Sequence, residues 1–135
     1  NLYALADRGV VAPELLAHLP WTYTAGLFRS ARFGVTEAHG LGVVLQAAYL
    51  LERGALEVTE AGRFRPVPDR FREAIAALAG EILLIQAEGD YAAAGALLDR
   101  YGTPPEAMTR QLGDLDDVLV DVDPIFSFDR VGSVD

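Results

Sequence analysis

His39 is the residue whose type and neighbours best suit catalysis in this chain. It lies within Thr36-Glu37-Ala38-His39-Gly40 at the predicted start of an apolar helix, with Gly42 just beyond it. Glycine inside a helix costs about 1 kcal/mol relative to alanine, so two glycines beside a histidine indicate a face left open for close approach. The N-terminus of a helix also favours a bound anion. The alternative is a histidine with a purely structural role.

Other candidate sites in the sequence are weaker. His18 follows a short predicted helix beside Pro20, which favours a surface or packing role. Acidic residues cluster near the C-terminus, but they lack the turn glycine and late glutamate of an EF-hand loop, so a solvated face is the preferred interpretation. These acids are Asp114, Asp116, Asp117, Asp121 and Asp123. The motifs G-x-S-x-G and H-E-x-x-H are absent from the sequence.

Part of the spacing of a Nudix box, the metal-binding motif of diphosphate hydrolases, follows Gly54. Glu60 completes a G-x5-E opening, but the Arg72-Glu73 pair comes later than the motif allows. Ala76-Ala77 stand where paired glutamates should bind the divalent metal. This segment therefore predicts no Nudix site of its own.

Composition excludes several classes of function. The 135 residues include 11 Lys and Arg against 20 Asp and Glu, a formal charge of −9, which argues against nucleic acid or an anionic membrane as a partner. The chain has no cysteine, which excludes disulfides, a thiolate zinc site and a cysteine nucleophile. No apolar stretch is long enough to span a bilayer and no targeting element is visible, so a cytoplasmic location is the default expectation.

The helix that must position His39 is predicted from about residue 37 to residue 53, with Thr36 as its cap and Gly54 at its end. Its interior is apolar almost all round, which indicates burial on several sides or against chain that is missing here. We expect such a helix to expose apolar surface when its neighbours are absent, and that surface could support a homodimer.

The remaining pattern predicts a mainly α, compact segment of about five to six helices with one small β-hairpin near 55–67. Asp69 is the predicted cap of the most regular amphipathic helix. The apolar stripe of that helix contains Phe71, Ile75, Leu78, Ile82 and Ile85. Asp90 is the predicted cap of the next helix, and Thr103 forms a predicted capping box with Glu106 before the last one.

The stretch from Phe28 to Gly40, which reads FRSARFGVTEAHG, resembles the C-terminal part of dipeptidyl-peptidase-III-like zinc peptidases. The segment from Glu81 to Asp90 and the Asp99-Arg100-Tyr101 triplet fit the same family, whose pattern is a long helix, a G-D turn and a helix ending in tyrosine. The resemblance covers about residues 1–128. It is strongest to the branch in which this region follows a Nudix (MutT-like) hydrolase domain.

This resemblance implies that residues 1–135 are a single helical segment, the C-terminal part of a larger peptidase-like domain. The start at Asn1 rather than Met fits that interpretation. In the family, zinc is held by two histidines of an H-E-x-x-G-H-type motif and a later glutamate, which would lie in the upstream part of the same polypeptide. The whole protein is then expected to bind zinc and hydrolyse peptides, whereas this segment alone should hold no metal and be inactive.

The resemblance also assigns two candidate site residues. His39 falls at a family histidine that stabilises the transition state or positions the substrate, and Glu37 falls at a glutamine position, where it would bind substrate. The family's arginine four residues after the histidine is replaced by Val43. Val43 and Glu37 favour the alternative, a non-catalytic scaffold or oligomerisation module of a Nudix-family protein.

Overall fold

The computed structural model describes residues 2–118, which form a helical bundle with one β-hairpin. In chain order the elements are α1 (Leu2–Asp7), a 3-10 helix (Pro13–Ala17), α2 (Leu19–Ala31), α3 (Ala38–Glu52), β1 (Leu56–Val58), β2 (Phe64–Pro66), α4 (Pro68–Glu88), α5 (Tyr91–Tyr101) and α6 (Glu106–Gly113). The mainly α prediction with a single hairpin near 55–67 is confirmed.

The helix α3 lies at the centre of the fold. It packs against α2, α4, α5 and β1, and its residues Val44, Ala47 and Leu50 are fully buried. The apolar pattern therefore predicted its burial on several sides correctly. Within residues 2–118, α3 supplies none of the exposed large apolar side chains. A homodimer through apolar surface of this helix stays a prediction.

Two clusters of buried side chains hold α3 in place. The larger cluster joins α2, α3, β1, α4 and α6 through Leu27, Phe28, Ala31, Val44, Ala47, Leu50, Ala55, Leu56, Phe71, Ala74 and Met108. The smaller cluster joins α3, α4 and α5 through Leu45, Tyr49, Leu78, Leu97 and Tyr101. Burying one leucine or phenylalanine contributes about 1.5–3 kcal/mol, so α3 and α4, which belong to both clusters, are the main supports of the fold.

The hairpin and the predicted apolar stripe both face this core. The two strands pair antiparallel, with Val58 opposite Phe64, and the Phe64 ring lies 4.8 Å from the ring of Phe28 between centroids. In α4, Phe71 and Leu78 are buried. Ile75, Ile82 and Ile85 are partly buried and pack against the two clusters. The stripe at helical spacing therefore predicted the buried face of α4 correctly.

Helix α5 begins at the predicted cap. The Asp90 carboxylate accepts a hydrogen bond from the backbone N–H of Ala93 at 2.9 Å. One of the four N–H groups that a helix leaves unpaired at its start is satisfied in this way. Asp90 also ends the turn from α4, in which Gly89 adopts a left-handed conformation with φ of 65°.

The predicted caps of α3, α4 and α6 are wrong. None of these three helices has a side-chain cap, and the residue that precedes each helix is not the predicted one. The flanking residues are Glu37 rather than Thr36 for α3, Val67 rather than Asp69 for α4, and Pro105 rather than Thr103 for α6. In α4 the first helical residue is Pro68, which has no N–H to be capped. A residue before a proline is disfavoured in the α region, so α6 begins only after Pro105.

A group of polar side chains joins the end of α3 to α5. The Glu52 carboxylate accepts hydrogen bonds from the Tyr101 hydroxyl at 2.8 Å and from the Arg100 guanidinium at 2.7 Å. The hydrogen bond from Tyr101, followed by that from Arg100, lowers the pKa of Glu52. Burial and the same hydrogen bond raise the pKa of Tyr101.

Replacing Asp90 with alanine removes the cap of α5 and is expected to lower the free energy of unfolding by about 1 kcal/mol. Thr103→Ala is the matched control, since Thr103 is exposed and caps no helix, and it should change that free energy by less than about 0.5 kcal/mol. Urea denaturation followed by circular dichroism measures both. Equal losses for the two variants would contradict this assignment of the caps.

Candidate functional site

The candidate site lies where the loop 32–37 leads into α3. Glu37 flanks the helix with an extended backbone, φ −81° and ψ 163°, and its carbonyl accepts a hydrogen bond from the N–H of Leu41 at 2.8 Å. His39 is therefore a residue of the first helical turn. The unpaired N–H groups of that turn give it a partial positive charge.

Gly40 fixes the position of this turn against the loop. It is buried, and a Cβ atom added to it would lie 2.0 Å from the carbonyl oxygen of Gly34 and 2.7 Å from the Cα of Val35. Gly34 itself has φ of 126°, a conformation that other residues rarely adopt. The loop and the helix therefore touch backbone to backbone, and only glycine fits at these two positions.

The structure places both predicted site residues at the surface. His39 and Glu37 are exposed, and within residues 2–118 the His39 imidazole has no hydrogen-bond or ion-pair partner. The imidazole is therefore not buried in the core, and it donates no hydrogen bond to a main-chain carbonyl of residues 2–118. The structure does not join His39 to Glu37. His18, the other histidine, is also exposed and ends the 3-10 helix.

Val43 follows His39 by four residues and faces the protein interior. It is half-buried and packs against the larger apolar cluster. A guanidinium at this position would have to leave water or displace its neighbours, and either change is unfavourable. Val43, which stands at the arginine position of the family motif, therefore contributes to core packing in this chain.

A groove runs between α3 and α4 beside this turn. Its volume is about 260 Å³, and its walls are Tyr23, Gly42, Leu45, Gln46, Ile75, Leu78, Ala79 and Ile82. A Cβ atom added to Gly42 would meet nothing within 4 Å. The loop covers Gly40, whereas the surface of α3 at Gly42 is open. Of the two glycines beside His39, only Gly42 therefore provides the open face that was predicted. His39, Gly42 and Gln46 are spaced i, i+3 and i+7, so they share that face of α3.

The polar side chains of this groove bond to each other. The Tyr23 hydroxyl donates to Oε1 of Gln46, and Nε2 of Gln46 donates to the carbonyl of Gly42 at 2.8 Å. Burial raises the pKa of Tyr23. Sequence reasoning did not find this pair, because its members are 23 residues apart and neither lies in a recognisable motif. The groove is uncharged and suits an apolar partner better than an ion.

Residues 2–118 contain no group of three or more His, Cys, Asp or Glu that could hold a metal ion. Asp114, Asp116 and Asp117 are exposed, whereas Asp121 and Asp123 lie outside the described residues. The side chains of this part of the chain therefore do not fit a zinc site of their own. In the same range no helix is both long and apolar enough to cross a membrane.

Alanine at the two glycines of α3 should have opposite effects on stability. Gly40→Ala puts a Cβ into the backbone of the loop and is expected to lower the free energy of unfolding by about 1–3 kcal/mol. Gly42→Ala meets no atom and should raise it by about 0.5–1 kcal/mol, because alanine favours the helix. Chemical denaturation of both variants measures the difference. A change of the same sign in both would contradict the contact assigned to Gly40.

No protein-family model matches the chain. The chain is 39% identical over 119 residues to Nudix hydrolase 3 of Arabidopsis thaliana, which corresponds to 88% of this chain and 15% of that protein. The structure of dipeptidyl-peptidase III from Caldithrix abyssi matches 97% of the chain with a TM-score of 0.89 and 36% identity. That from Corallococcus sp. strain EGB matches 92% with a TM-score of 0.85 and 38% identity.

The chain spans only part of each of these proteins. It covers 25% and 23% of the two dipeptidyl-peptidase III chains and a smaller share of the Nudix hydrolase. The resemblance expected from the stretch between Phe28 and Gly40 is nevertheless confirmed over nearly all of the chain. The chain is therefore a dipeptidyl-peptidase-III-like region with a link to a Nudix hydrolase.

Proposed function

We propose that this chain is the C-terminal helical part of a zinc-dependent, peptide-hydrolysing enzyme. The single observation that carries the proposal is the match of 97% of the chain, at 36% identity, to one quarter of a dipeptidyl-peptidase III. Residues 1–135 act together with the upstream part of the same polypeptide, and the substrate is a peptide. Alone, the chain is inactive, because it offers only one side of a cleft.

The zinc ligands of the proposed enzyme belong to the upstream part. This follows from the family resemblance. Bound zinc supplies a Lewis acid for attack on the peptide carbonyl. The contribution of this chain is to bind and orient the substrate beside that centre.

In this proposal His39 acts on the oxygen of the scissile carbonyl. Its imidazole N–H donates a hydrogen bond to that oxygen as negative charge develops on it. An exposed imidazole without a partner among residues 2–118 supports the role, because its N–H is available to a substrate. Its place in the first turn of α3 adds the partial positive charge of the helix N-terminus.

Glu37 contributes to substrate binding. Its carboxylate is exposed at the start of α3 and has no side-chain role in capping that helix. A carboxylate in this position can pair with a positively charged group of a peptide, such as its terminal ammonium. The glutamate at a glutamine position of the family motif therefore suits a cationic end of the substrate.

A non-catalytic scaffold or oligomerisation module of a Nudix-family protein is the second candidate. The identity of 39% to Nudix hydrolase 3 favours it, as does the use of Val43 for packing rather than for substrate contact. In this role the region would support an attached diphosphate hydrolase domain, and His39 would be dispensable.

Activity of the complete polypeptide separates the two candidates. His39→Ala is expected to lower kcat/KM for hydrolysis of a dipeptidyl naphthylamide by about 10²–10³-fold, because one donor to the developing oxyanion is lost. His18→Ala is the matched control, since His18 is exposed too, and it should keep the rate within about twofold. Zinc content is measured in each variant.

An unchanged rate for zinc-loaded His39→Ala would show that the role given to this histidine is wrong. A wild-type polypeptide that binds no zinc and releases no dipeptide, but still hydrolyses a nucleoside diphosphate derivative, would favour the scaffold instead.

A further inference from the structure

We propose that a pocket between the end of α3 and the first turns of α4 binds a small phosphate monoester. Its volume is about 290 Å³. The lining consists of three charged residues and two alanines, which are Arg53, Arg70, Glu73, Ala74 and Ala77. Arg53 lies roughly 20 Å from His39 along α3, at 1.5 Å per residue. The pocket is therefore separate from the candidate functional site, and binding there does not depend on peptide hydrolysis.

The two arginines of this pocket are the first observation behind the proposal. The chain has nearly twice as many acidic as basic residues, so an arginine should readily find an acidic partner. Within residues 2–118, ion pairs with Asp or Glu are formed by Arg63, Arg65, Arg72, Arg100 and Arg110. Arg53 and Arg70 form none in the same range, and neither does Glu73. Two arginines that share a pocket without an acidic partner leave a site for an anion.

Neighbouring groups hold both guanidinium groups in place. That of Arg53 lies over the buried Tyr49 ring, with 5.0 Å between its Cζ atom and the ring centroid. Stacking uses the face of a guanidinium and leaves its in-plane N–H donors available. Arg70 lies against the backbone of Gly54, since a Cβ atom added to Gly54 would be 2.6 Å from Nη1 of Arg70. A ligand therefore meets two sets of donors whose side chains have already lost part of their conformational freedom.

The charge of the lining selects a phosphoryl group over a carboxylate. A phosphoryl group carries about −1.5 to −2 charges at pH 7 and has three acceptor oxygens. These oxygens can accept hydrogen bonds from two guanidinium groups, whereas a carboxylate is satisfied by one arginine. Glu73 repels an anion in the same pocket, and its carboxylate therefore limits the affinity.

The size of the pocket indicates that the phosphoryl group carries a short organic group. Typical sites for small organic ligands have volumes of about 300–1,000 Å³, and this pocket lies at the lower end of that range. Ala74 and Ala77 provide a small apolar wall beside the charged residues. A phosphate monoester with a group the size of a pentose uses both parts of the lining.

Protection from phenylglyoxal in the complete polypeptide tests this site. Phenylglyoxal modifies accessible guanidinium groups, and mass spectrometry of a digest gives the rate at each arginine. Saturating ribose 5-phosphate should slow the modification of Arg53 and Arg70 at least about tenfold, because the reagent competes with the bound ligand. Arg8 is the matched control, since it is exposed and forms no ion pair within residues 2–118, and its rate should not change.

Three substitutions show whether the two arginines hold one ligand. In Arg53→Gln, Arg70 should lose its protection, and in Arg70→Gln, Arg53 should lose it. Glu73→Gln removes the repelling charge and should lower the half-protecting concentration at least about twofold. All three side chains are exposed, so the variants should fold, and circular dichroism checks that they do.

Three further probes separate the phosphoryl group from the organic part. Inorganic phosphate should protect both arginines, but only at a higher concentration than ribose 5-phosphate, because it does not contact the alanine wall. Acetate should protect them more weakly than inorganic phosphate, and ribose should not protect them. Stronger protection by inorganic phosphate than by ribose 5-phosphate would overturn the assignment of a monoester.

Unchanged rates at Arg53 and Arg70 with either phosphate compound would overturn the proposed site. Arginines that do not react in the ligand-free polypeptide would also overturn it, because other parts of the chain would then close the pocket. Retained protection of Arg70 in Arg53→Gln would contradict a ligand shared by the two residues. Protection of Arg8 to the same extent would show that phosphate acts on arginines without regard to the pocket.

Discussion

The contact between the Gly34 backbone and the first turn of α3 is the constraint on which the account of His39 depends. With 2.0 Å between the Gly34 oxygen and an added Cβ at Gly40, the loop and the helix can adopt this arrangement only while both positions are glycine. The loop therefore holds one side of the turn closed and leaves His39 and Glu37 exposed on the other. The proposed role of His39 needs a donor that is held in place in advance, and this contact restrains the backbone that carries the imidazole.

The same helix serves the core and the site. Its later turns are buried in two apolar clusters, which fix its axis, while its first turn projects from the core with an exposed histidine. Between these regions Gly42 leaves an open groove against α4. A rigid, buried helix whose first turn is exposed is well suited to present a side chain to a substrate or to another part of the polypeptide.

Sequence patterns predicted the parts of this fold that depend on local rules. The apolar character of α3 predicted its burial, the stripe of α4 predicted its inner face, and Asp90 predicted the start of α5. The predicted caps of α4 and α6 failed where prolines near the helix starts changed which residue could begin the helix. The bond between Tyr23 and Gln46 could not be predicted, because it depends on how α2 and α3 meet in space. Sequence alone also could not distinguish the closed side at Gly40 from the open side at Gly42.

A structure of the complete polypeptide with a phosphinic peptide analogue is the most direct test of the central claim. The phosphinate oxygens stand in for those of the tetrahedral intermediate. The account predicts that a nitrogen of the His39 imidazole lies about 3 Å from one of these oxygens, within hydrogen-bond reach. An imidazole turned toward solvent, with the analogue bound elsewhere, would contradict it.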